Sequence, residues 1–365
     1  MRFETNTKPV VSGLDLGIIT SNITKFYQKS CIVELTIEET GLRINTEVSA
    51  VKSEMVFKGS VSGDGENHVF VDSLLFKNLM KSLTSDTVEF EINADGLTVY
   101  SGKSKFNLAQ VVSGADLELS RPQQNHDNLQ SFDIDKAGWE FIKDQQMYAI
   151  AMSFIHPVYT HAWLSETGDV IVGDFDNSIF THSHATHLTS TCLLTDTIIN
   201  LLSTVPEDSQ IMQLGRNYEI KVATDPYTYL CEFTPRYEDD EGIGDYSAGL
   251  ILQLFNHGDG AVIDSEVVSK YIAQAELFST TNDDTINLEM NQNSFNLVNQ
   301  NVNCKIPVTS PFQEFSITFK ISLLKDAISH MDSAKVSVCP LVQDGQVSGI
   351  ILWTDNVETV LAGID

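Results

Sequence analysis

Hydrophobic and polar residues alternate over short runs along most of the chain. Examples are Cys31–Ile37, Val88–Ile92, Tyr218–Val222 and Phe315–Phe319, all rich in β-branched or aromatic residues. A period of two with such residues predicts half-buried antiparallel strands. Most of the fold is therefore expected to be antiparallel β-sheet.

Three other segments have the spacing of helices, and each opens with an acidic or hydroxyl residue suited to an N-cap. They are Asp72–Leu83, Thr195–Val205 and Ser322–Met331. Further helical patterns begin near Leu14, Ile134 and Ile263.

The spacing of these helices predicts internal repetition. Leu79, Leu201 and Ala327 occupy matching positions at steps of 122 and 126 residues, and a third of the 365 residues is about 122. The chain is therefore predicted to be an α+β protein of three tandem repeats, each ordered helix, strands, helix, strands. The alternative is a coincidence among amphipathic helices.

Polar connectors set the predicted domain boundaries. Pro122–Leu129 and the acidic Glu238–Asp245 fall near one third and two thirds of the length. The expected domains are residues 1–127, 128–246 and 247–365.

The charge is strongly negative, with 50 Asp and Glu against 22 Lys and Arg and a net charge of −28. Such an excess repels phosphates and argues against a broad basic DNA-binding face. The 42% hydrophobic content is enough for folded cores and excludes a disordered acidic tail. A nucleic-acid role would need a local exception.

Cysteine usage and the N-terminal sequence indicate the compartment. The five cysteines are widely spaced and include no Cys-x-x-Cys pair, which is typical of reduced thiols. The sequence has neither a secretion signal nor 18 uninterrupted apolar residues. We expect a soluble cytoplasmic protein with no membrane partner.

A family resemblance is carried mainly by the first repeat. Phe70–Leu83, then Val88–Ile92, then Gly96–Leu108 with its Ser-Gly-Lys-Ser-Lys-Phe-x-Leu run, resemble the first domain of the bacterial DNA polymerase sliding clamp, the polymerase III beta subunit. Tyr159–Gly168 and the apolar tail Val360–Asp365 resemble that family more weakly. The divergence of the later repeats would suit a bacteriophage-encoded member, so the expected location is the cytoplasm of a bacterial cell or, for a phage-encoded clamp, of an infected host cell.

The resemblance implies a fold and a function. Each domain would have two helices and two packed antiparallel sheets, and two subunits would close head to tail into a ring around double-stranded DNA. Such a homodimer is a non-catalytic processivity factor without cofactors, whose partners are DNA polymerase and the clamp loader.

Lysines on the helices expected to line the hole would face DNA. Lysine is a mobile, hydrated point charge, which suits sequence-independent attraction to phosphates. An ordinary solvated helix face is the alternative. The candidates are Lys25, Lys29, Lys77, Lys81, Lys136, Lys143, Lys270 and Lys325.

The family's apolar peptide groove would fall between the second and third domains. Its walls here would be Thr160, Phe175, Asn177, Ser178, Phe180, Pro235, Val360, Leu361, Ala362 and Gly363. The family's Thr-Asp-Gly-His-Arg run reads Phe-Asp-Asn-Ser-Ile here, so a different peptide specificity is expected. Core packing of Phe175 and Phe180 is the alternative.

The subunit interface is assigned by the same resemblance. Phe106 and Leu108 would contact Leu277 and Phe278 of the other subunit. An ordinary buried Phe106 is the alternative.

Two other classes of protein compete with this interpretation. The cluster His182, His184 and His187 lies near Asp174 and Asp176, and His182 and His184 would share one face of a strand, as metal ligands do. The main alternative is therefore a metal-binding β-rich hydrolase. A structural protein of tandem β modules is the third class, against which the thiols and the lysine-bearing helices argue.

Overall fold

The computed structural model contains two compact units, each assembled from separate parts of the chain. Unit 1 comprises Met1–Phe132 and Thr204–Pro235, and unit 2 comprises Asp133–Ser203 and Arg236–Asp365. The residues that the structure describes are 8–26, 31–48, 51–63, 68–93, 95–111, 119–120, 122, 130–131, 136–151, 160–184, 191–204, 210–214, 217–224, 227–236, 248–279 and 284–364.

The strands number 25 in the described residues. In chain order they are β1 (Val10–Asp15), β2 (Ile32–Glu38), β3 (Gly41–Val48), β4 (Val51–Lys58), β5 (Ser60–Ser62), β6 (His68–Asp72), β7 (Thr87–Asn93), β8 (Gly96–Ser101), β9 (Ser104–Ala109), β10 (Gln130–Ser131), β11 (His161–Leu164), β12 (Asp169–Asp174), β13 (Ile179–His184), β14 (Cys192–Thr195), β15 (Gln210–Leu214), β16 (Asn217–Thr224), β17 (Tyr227–Phe233), β18 (Ala261–Asp264), β19 (Thr285–Asn291), β20 (Ser294–Val298), β21 (Asn303–Pro307), β22 (Phe315–Lys320), β23 (Lys335–Gln343), β24 (Gln346–Trp353) and β25 (Val357–Ala362).

The described α-helices number seven. They are α1 (Leu16–Phe26), α2 (Ser73–Ser82), α3 (Lys136–Gln145), α4 (Asp196–Leu202), α5 (Ala248–Leu254), α6 (Ser265–Phe278) and α7 (Ile321–Ser329), and a 3₁₀ turn spans Met147–Ala149.

Unit 1 contains two antiparallel sheets. A five-stranded sheet has the order β5-β1-β7-β8-β9, and an eight-stranded sheet has the order β10-β15-β16-β17-β4-β3-β2-β6. In the larger sheet β17 pairs with β4 over seven residues, from Tyr227 opposite Phe57 to Phe233 opposite Val51. Strands from distant parts of the sequence therefore share one continuous hydrogen-bond ladder.

Unit 2 also contains two antiparallel sheets. Its eight-stranded sheet has the order β14-β11-β12-β13-β25-β24-β23-β18, and its four-stranded sheet has the order β21-β20-β19-β22. The larger sheet joins distant segments where β13 pairs with β25, from Ile179 opposite Leu361 to Ser183 opposite Val357.

The helices contact one another in pairs, α1 with α2 in unit 1 and α3 with α4 and α6 with α7 in unit 2. Side-chain caps fix several of their starts. Asp72 Oδ1 accepts a hydrogen bond from the Leu75 N–H at 2.8 Å, and Asp264 Oδ1 accepts one from the Val267 N–H at 3.1 Å. All six predicted helices and the four predicted strands are confirmed to within a few residues.

The sequence patterns did not predict α5. Its seven residues carry no charge, and Ala248 and Ile251 are buried. The helix packs into the core of unit 2 with Trp163, Phe180 and Ile351.

The predicted boundaries at 127/128 and 246/247 stay a prediction. Pro122 is buried, whereas the rest of Pro122–Leu129 and all of Glu238–Asp245 lie outside the described residues. Among the described helices, none is long and apolar enough to cross a membrane.

Candidate functional site

The helix lysines differ in how their charges are compensated. Lys25 lies on α1, but its side chain is outside the described set, and Lys29 lies outside the described residues altogether. The other six lie on α2, α3, α6 and α7.

Lys77 and Lys81 lie one turn apart on α2, so their side chains share a face. The buried residues of α2 are Ser73, Phe76 and Met80, and Lys81 is exposed. Partial burial lowers the pKa of Lys77, and the neighbouring positive charge of Lys81 lowers it further. A like-charged pair of this kind is relieved by an approaching anion.

Two lysines of unit 2 have carboxylate neighbours. Lys325 Nζ of α7 donates to both oxygens of Glu276 on α6, at 2.7 and 3.0 Å, and this contact raises the pKa of Lys325. Lys136 Nζ lies 3.8 Å from Glu140 Oε1 one turn along α3. Lys143 is half-buried on α3 and Lys270 is exposed on α6.

The structure brings together the two predicted walls of the peptide groove. Phe180 lies opposite Val360 in the β13–β25 ladder, and the Ala362 N–H donates to the Ser178 carbonyl at 2.9 Å. Phe180, Val360 and Leu361 are buried, so the core alternative holds for Phe180.

The turn before β13 presents an aromatic side chain to solvent. The Phe175 side chain is 57% exposed and makes an edge contact with the Phe180 ring at 5.7 Å between centroids. Asp174 Oδ1 holds the turn by accepting from the Asp176 and Asn177 amides at 2.9 and 3.2 Å. Thr160 is half-buried in unit 2, and the buried Pro235 belongs to unit 1.

A groove of about 740 Å³ lies beside α5 in unit 2. Its apolar lining includes Leu250, Leu254, Phe312, Leu341 and Val342. Leu250 and Val342 are 63% and 56% exposed, which is unusual for large apolar side chains. None of the ten predicted wall residues lines this groove, although Phe180 and Val360 belong to the same core cluster as Leu341.

A chain of imidazoles and carboxylates crosses the sheet of unit 2 next to this groove. His182 on β13 donates through Nδ1 to Glu358 Oε2 on β25 at 3.0 Å and through Nε2 to Asp169 Oδ1 on β12 at 3.1 Å. The other oxygen of Glu358 accepts from His257 Nε2 at 3.0 Å. His257 lies in the loop after α5 and is part of the groove lining.

The charges in this chain stabilise one another. Burial alone would lower the pKa of His182, but its hydrogen bonds to Glu358 and Asp169 outweigh burial and raise it. Burial would raise the pKa of Glu358, but the hydrogen bonds from His182 and His257 lower it. The pKa of Asp169 is lowered in the same way, by hydrogen bonds from Thr167 and His182 that outweigh burial.

The metal-binding alternative is not favoured. His182 and His184 do share a strand face, since both approach Asp169, at 3.1 and 3.6 Å. However, no group of three His, Cys, Asp or Glu side chains within the described residues could hold a metal ion. His187 lies outside them.

Each small sheet ends in a strand that has no neighbour on one side among the described residues, and apolar side chains lie near that edge. Phe106 and Leu108 of β9 are half-buried and lie opposite the buried Val99 and Leu97 of β8. They extend the core face of the sheet to its edge.

The edge at β21 is flanked by the end of α6. Leu277 and Phe278 at that end are 79% and 59% exposed. Asn301 Nδ2, in the turn before β21, donates to the Phe278 carbonyl at 3.3 Å. An open strand and two exposed apolar side chains thus form one surface.

No protein-family model and no curated protein matches the chain by sequence. Solved structures do resemble it over nearly the whole length. The DNA polymerase III beta subunit of Thermotoga maritima has a TM-score of 0.76 at 13% identity, covering 98% of this chain and 99% of that one. The sliding clamp of Bacillus subtilis has 0.71 at 12%, covering 98% and 99%, and the beta clamp of C. crescentus has 0.72 at 12%, covering 98% and 100%. The chain therefore has the fold of the bacterial DNA polymerase sliding clamps.

Proposed function

We propose that the protein is a DNA polymerase processivity factor that encircles duplex DNA as a head-to-tail homodimer. The observation that carries the proposal is the likeness to sliding clamps over 98% of the chain. In this role the protein is a cytoplasmic, non-catalytic accessory subunit. The three domains at residues 1–127, 128–246 and 247–365 would be its repeating units.

Retention on DNA would come from topology rather than from tight contacts. The eight lysines predicted to face DNA, foremost Lys77 and Lys81, would attract the phosphate backbone loosely and without reading sequence. Because the rest of the protein carries most of the −28 net charge, DNA is repelled from other surfaces. A closed ring then slides without dissociating sideways.

The open edges of the two small sheets support the homodimer. The edge of β9 with Phe106 and Leu108 would meet the surface formed by β21, Leu277 and Phe278 of a second copy. Pairing two unpartnered strands satisfies their backbone groups and covers exposed apolar side chains. Two such contacts close a ring of two subunits.

The groove beside α5 supports binding of short peptide segments from DNA polymerase and the clamp loader. An apolar groove of about 740 Å³ is large enough for one or two anchoring side chains. The exposed Leu250 and Val342 provide contact area, and the predicted walls around Phe175 and Ala362 would extend the site. Tethering the polymerase in this way raises its effective concentration at the primer end.

Retention on circular DNA tests the ring. Dimers are dissociated by dilution, mixed with nicked circular plasmid and concentrated, so that rings close around the DNA without a loader. The complex is then isolated by gel filtration. Retained protein should leave when a restriction enzyme linearises the plasmid; equal retention on circular and linear plasmid would contradict the topological mechanism.

A further inference from the structure

The loop that follows α5 is attached to the neighbouring sheet by one charged hydrogen bond. Phe255 is buried and its ring lies 5.1 Å from the His182 ring. His257 stacks on Trp353 of β24, with centroids 3.9 Å apart, and donates to Glu358. The loop also forms two backbone hydrogen bonds to α5, from the Phe255 and Asn256 N–H groups to the Leu252 and Gln253 carbonyls at 3.2 and 3.3 Å, but neither reaches the sheet.

Glu358 is placed to receive this bond by the pairing of the sheet. It lies directly opposite His182 on one side and Trp353 on the other, so all three share a face of the sheet. The loop crosses that face closely, because a side chain at Gly260 would collide with the Trp353 ring. Residues 255–260 therefore lie on a row formed by His182, Glu358 and Trp353.

Both carboxylate oxygens of Glu358 are used. Oε2 accepts from His182 and Oε1 accepts from His257, each at 3.0 Å. Both nitrogens of each ring also face an oxygen, since His182 Nε2 faces Asp169 and His257 Nδ1 lies 3.2 Å from the Gly258 carbonyl. Only a doubly protonated imidazole donates at both nitrogens, so the two carboxylate contacts of His182 are best satisfied when His182 is charged.

The titratable groups facing this chain come from three strands beneath the loop and from the loop itself. They are Asp169 on β12, His182 and His184 on β13, and Glu358 on β25, with His257 on the loop. The residues of α5 carry no charge, and β24 contributes the Trp353 ring. The two carboxylates thus lie among three imidazoles.

We infer that Glu358 is a positioning residue that fixes the α5 wall of the groove through His182 and His257. The groove and α5 meet at the loop, because Leu250, Leu254 and His257 all line the groove. Removing this bridge, the pair of hydrogen bonds that Glu358 accepts, releases His257 from Glu358 and leaves the loop with its ring contacts to the sheet and its backbone hydrogen bonds to α5. The importance of this wall for partner binding rests on the proposed function, whereas the bridge itself does not.

Hydrogen exchange measured by mass spectrometry tests the bridge in the full-length protein. In Glu358→Gln, amides in residues 249–259 should exchange roughly tenfold faster or more, the effect of losing one hydrogen bond to a charged group. Asp355→Asn is the matched control. Asp355 is an exposed acidic residue in the turn before β25, so its substitution should leave the exchange of residues 249–259 unchanged.

Cys339 provides a second readout beneath α5. It lines the groove, is 4% exposed, and burial raises the pKa of its thiol to about 11. Loosening of α5 should speed its alkylation by iodoacetamide, mapped by mass spectrometry, in Glu358→Gln but not in Asp355→Asn. His257→Leu breaks the same bridge from the loop side and covers the case in which Glu358→Gln fails to fold.

A pH profile separates positioning from general stabilisation. After correction for intrinsic exchange, protection of residues 249–259 in the natural sequence should fall as the pH rises and His182 loses its proton. Protection in Glu358→Gln should be insensitive to pH over that range.

Exchange and alkylation within twofold of the natural sequence in both Glu358→Gln and His257→Leu would overturn the inference. Retention on circular plasmid is scored separately, so loosening of α5 in a protein that never retains DNA would reject the proposed function and leave the bridge standing.

Discussion

The junction between β13 and β25 differs from the open ends of the two small sheets in whether strand edges and apolar side chains are covered within the chain. At the junction, strand edges pair with each other, apolar side chains are buried, and the charges of His182 and Glu358 neutralise one another. At the open ends, β9 and β21 are the outermost strands of their sheets and have no neighbour on one side in the described part of the chain. Leu277 and Phe278 remain exposed there.

This difference separates interactions that the chain completes by itself from those that need another molecule. Lys77 and Lys81, a like-charged pair on α2, belong with the open ends, because partial burial and the positive charge of Lys81 lower the pKa of Lys77 and an approaching anion would offset both effects. Under the proposed function, the open ends would meet a second copy of the chain and α2 would face DNA.

The largest expected effect comes from introducing negative charges at the C-terminal end of α6. Leu277→Asp combined with Phe278→Asp should convert the dimer to monomers, because each buried apolar side chain contributes about 1.5–3 kcal/mol. The dissociation constant should rise by roughly a thousandfold or more. Light scattering coupled to gel filtration measures the mass.

Val262→Asp is the matched control for this pair. Val262 is 54% exposed on β18, the strand that precedes α6, so Val262→Asp adds a carboxylate to an apolar surface position at the other end of this helix from Leu277 and Phe278. Intact dimers of the α6 double variant would refute the interface assignment, as would monomers of Val262→Asp.

A smaller effect is expected from removing the two like charges of α2. Lys77→Gln combined with Lys81→Gln should weaken binding to a short linear duplex by roughly 60-fold at 0.1 M salt, if each lysine neutralises one phosphate. The slope of log affinity against log salt should fall by about 1.8. Fluorescence anisotropy over a salt series provides both numbers.

Lys325→Gln sharpens the comparison, because its ammonium is already paired with Glu276. It should change the affinity and the salt slope less than either lysine of α2. Equal losses from Lys325→Gln and Lys81→Gln would mean that ion pairing on the helices does not decide which lysines attract DNA.

The smallest effect is on the pH dependence of stability at the junction. The raised pKa of His182 stabilises the fold fully below its ordinary pKa of 6.5, and this contribution is lost as the pH rises through the folded value. The lowered pKa values of Asp169 and Glu358 stabilise above their ordinary 3.8 and 4.5 and lose that contribution in acid. The contribution of the junction should therefore be greatest between pH 4.5 and 6.5.

Urea unfolding of the natural sequence and of His182→Gln over a pH series isolates the contribution of His182 to the free energy of unfolding. The difference in unfolding free energy should shrink above pH 6.5 by about 1.4 kcal/mol for each unit by which the pKa is raised. His68→Gln is the control, since the His68 ring contacts Phe70 in the described structure. A pH-independent difference for His182→Gln would contradict the assignment.

Much of the fold follows from local patterns. The caps at Asp72, Thr195 and Asp264 and the period-two strands depend on neighbours along the chain, so the sequence predicts them well. The order of strands in the sheets does not follow from local patterns, because β13 and β25 are far apart in the sequence and pair only in the folded chain. The sequence patterns miss α5 because an uncharged, mostly apolar run of seven residues fits a buried strand as well as a helix.

The site is less predictable for the same reason. The alternation of His182 and His184 correctly indicates a shared strand face, but Glu358, one of the two carboxylates that bind His182, lies 176 residues further along the chain. The groove beside α5 is lined by residues from three separate segments, 250–259, 311–312 and 339–351. The apolar run that contains Leu250 is the only hint of this groove in the sequence patterns discussed above. That Leu250 is exposed is visible only in the structure.

The position of β25 inside its sheet also affects how the protein is made. β13 leaves the ribosome long before its neighbour β25, and β24 is likewise synthesised before the strand that joins it to β13. Until β25 emerges, both strands have an unpaired edge that can bind other nascent chains. Co-translational folding of unit 2 therefore waits for its last strand, and a chain truncated before Val357 should be an aggregation-prone substrate for chaperones.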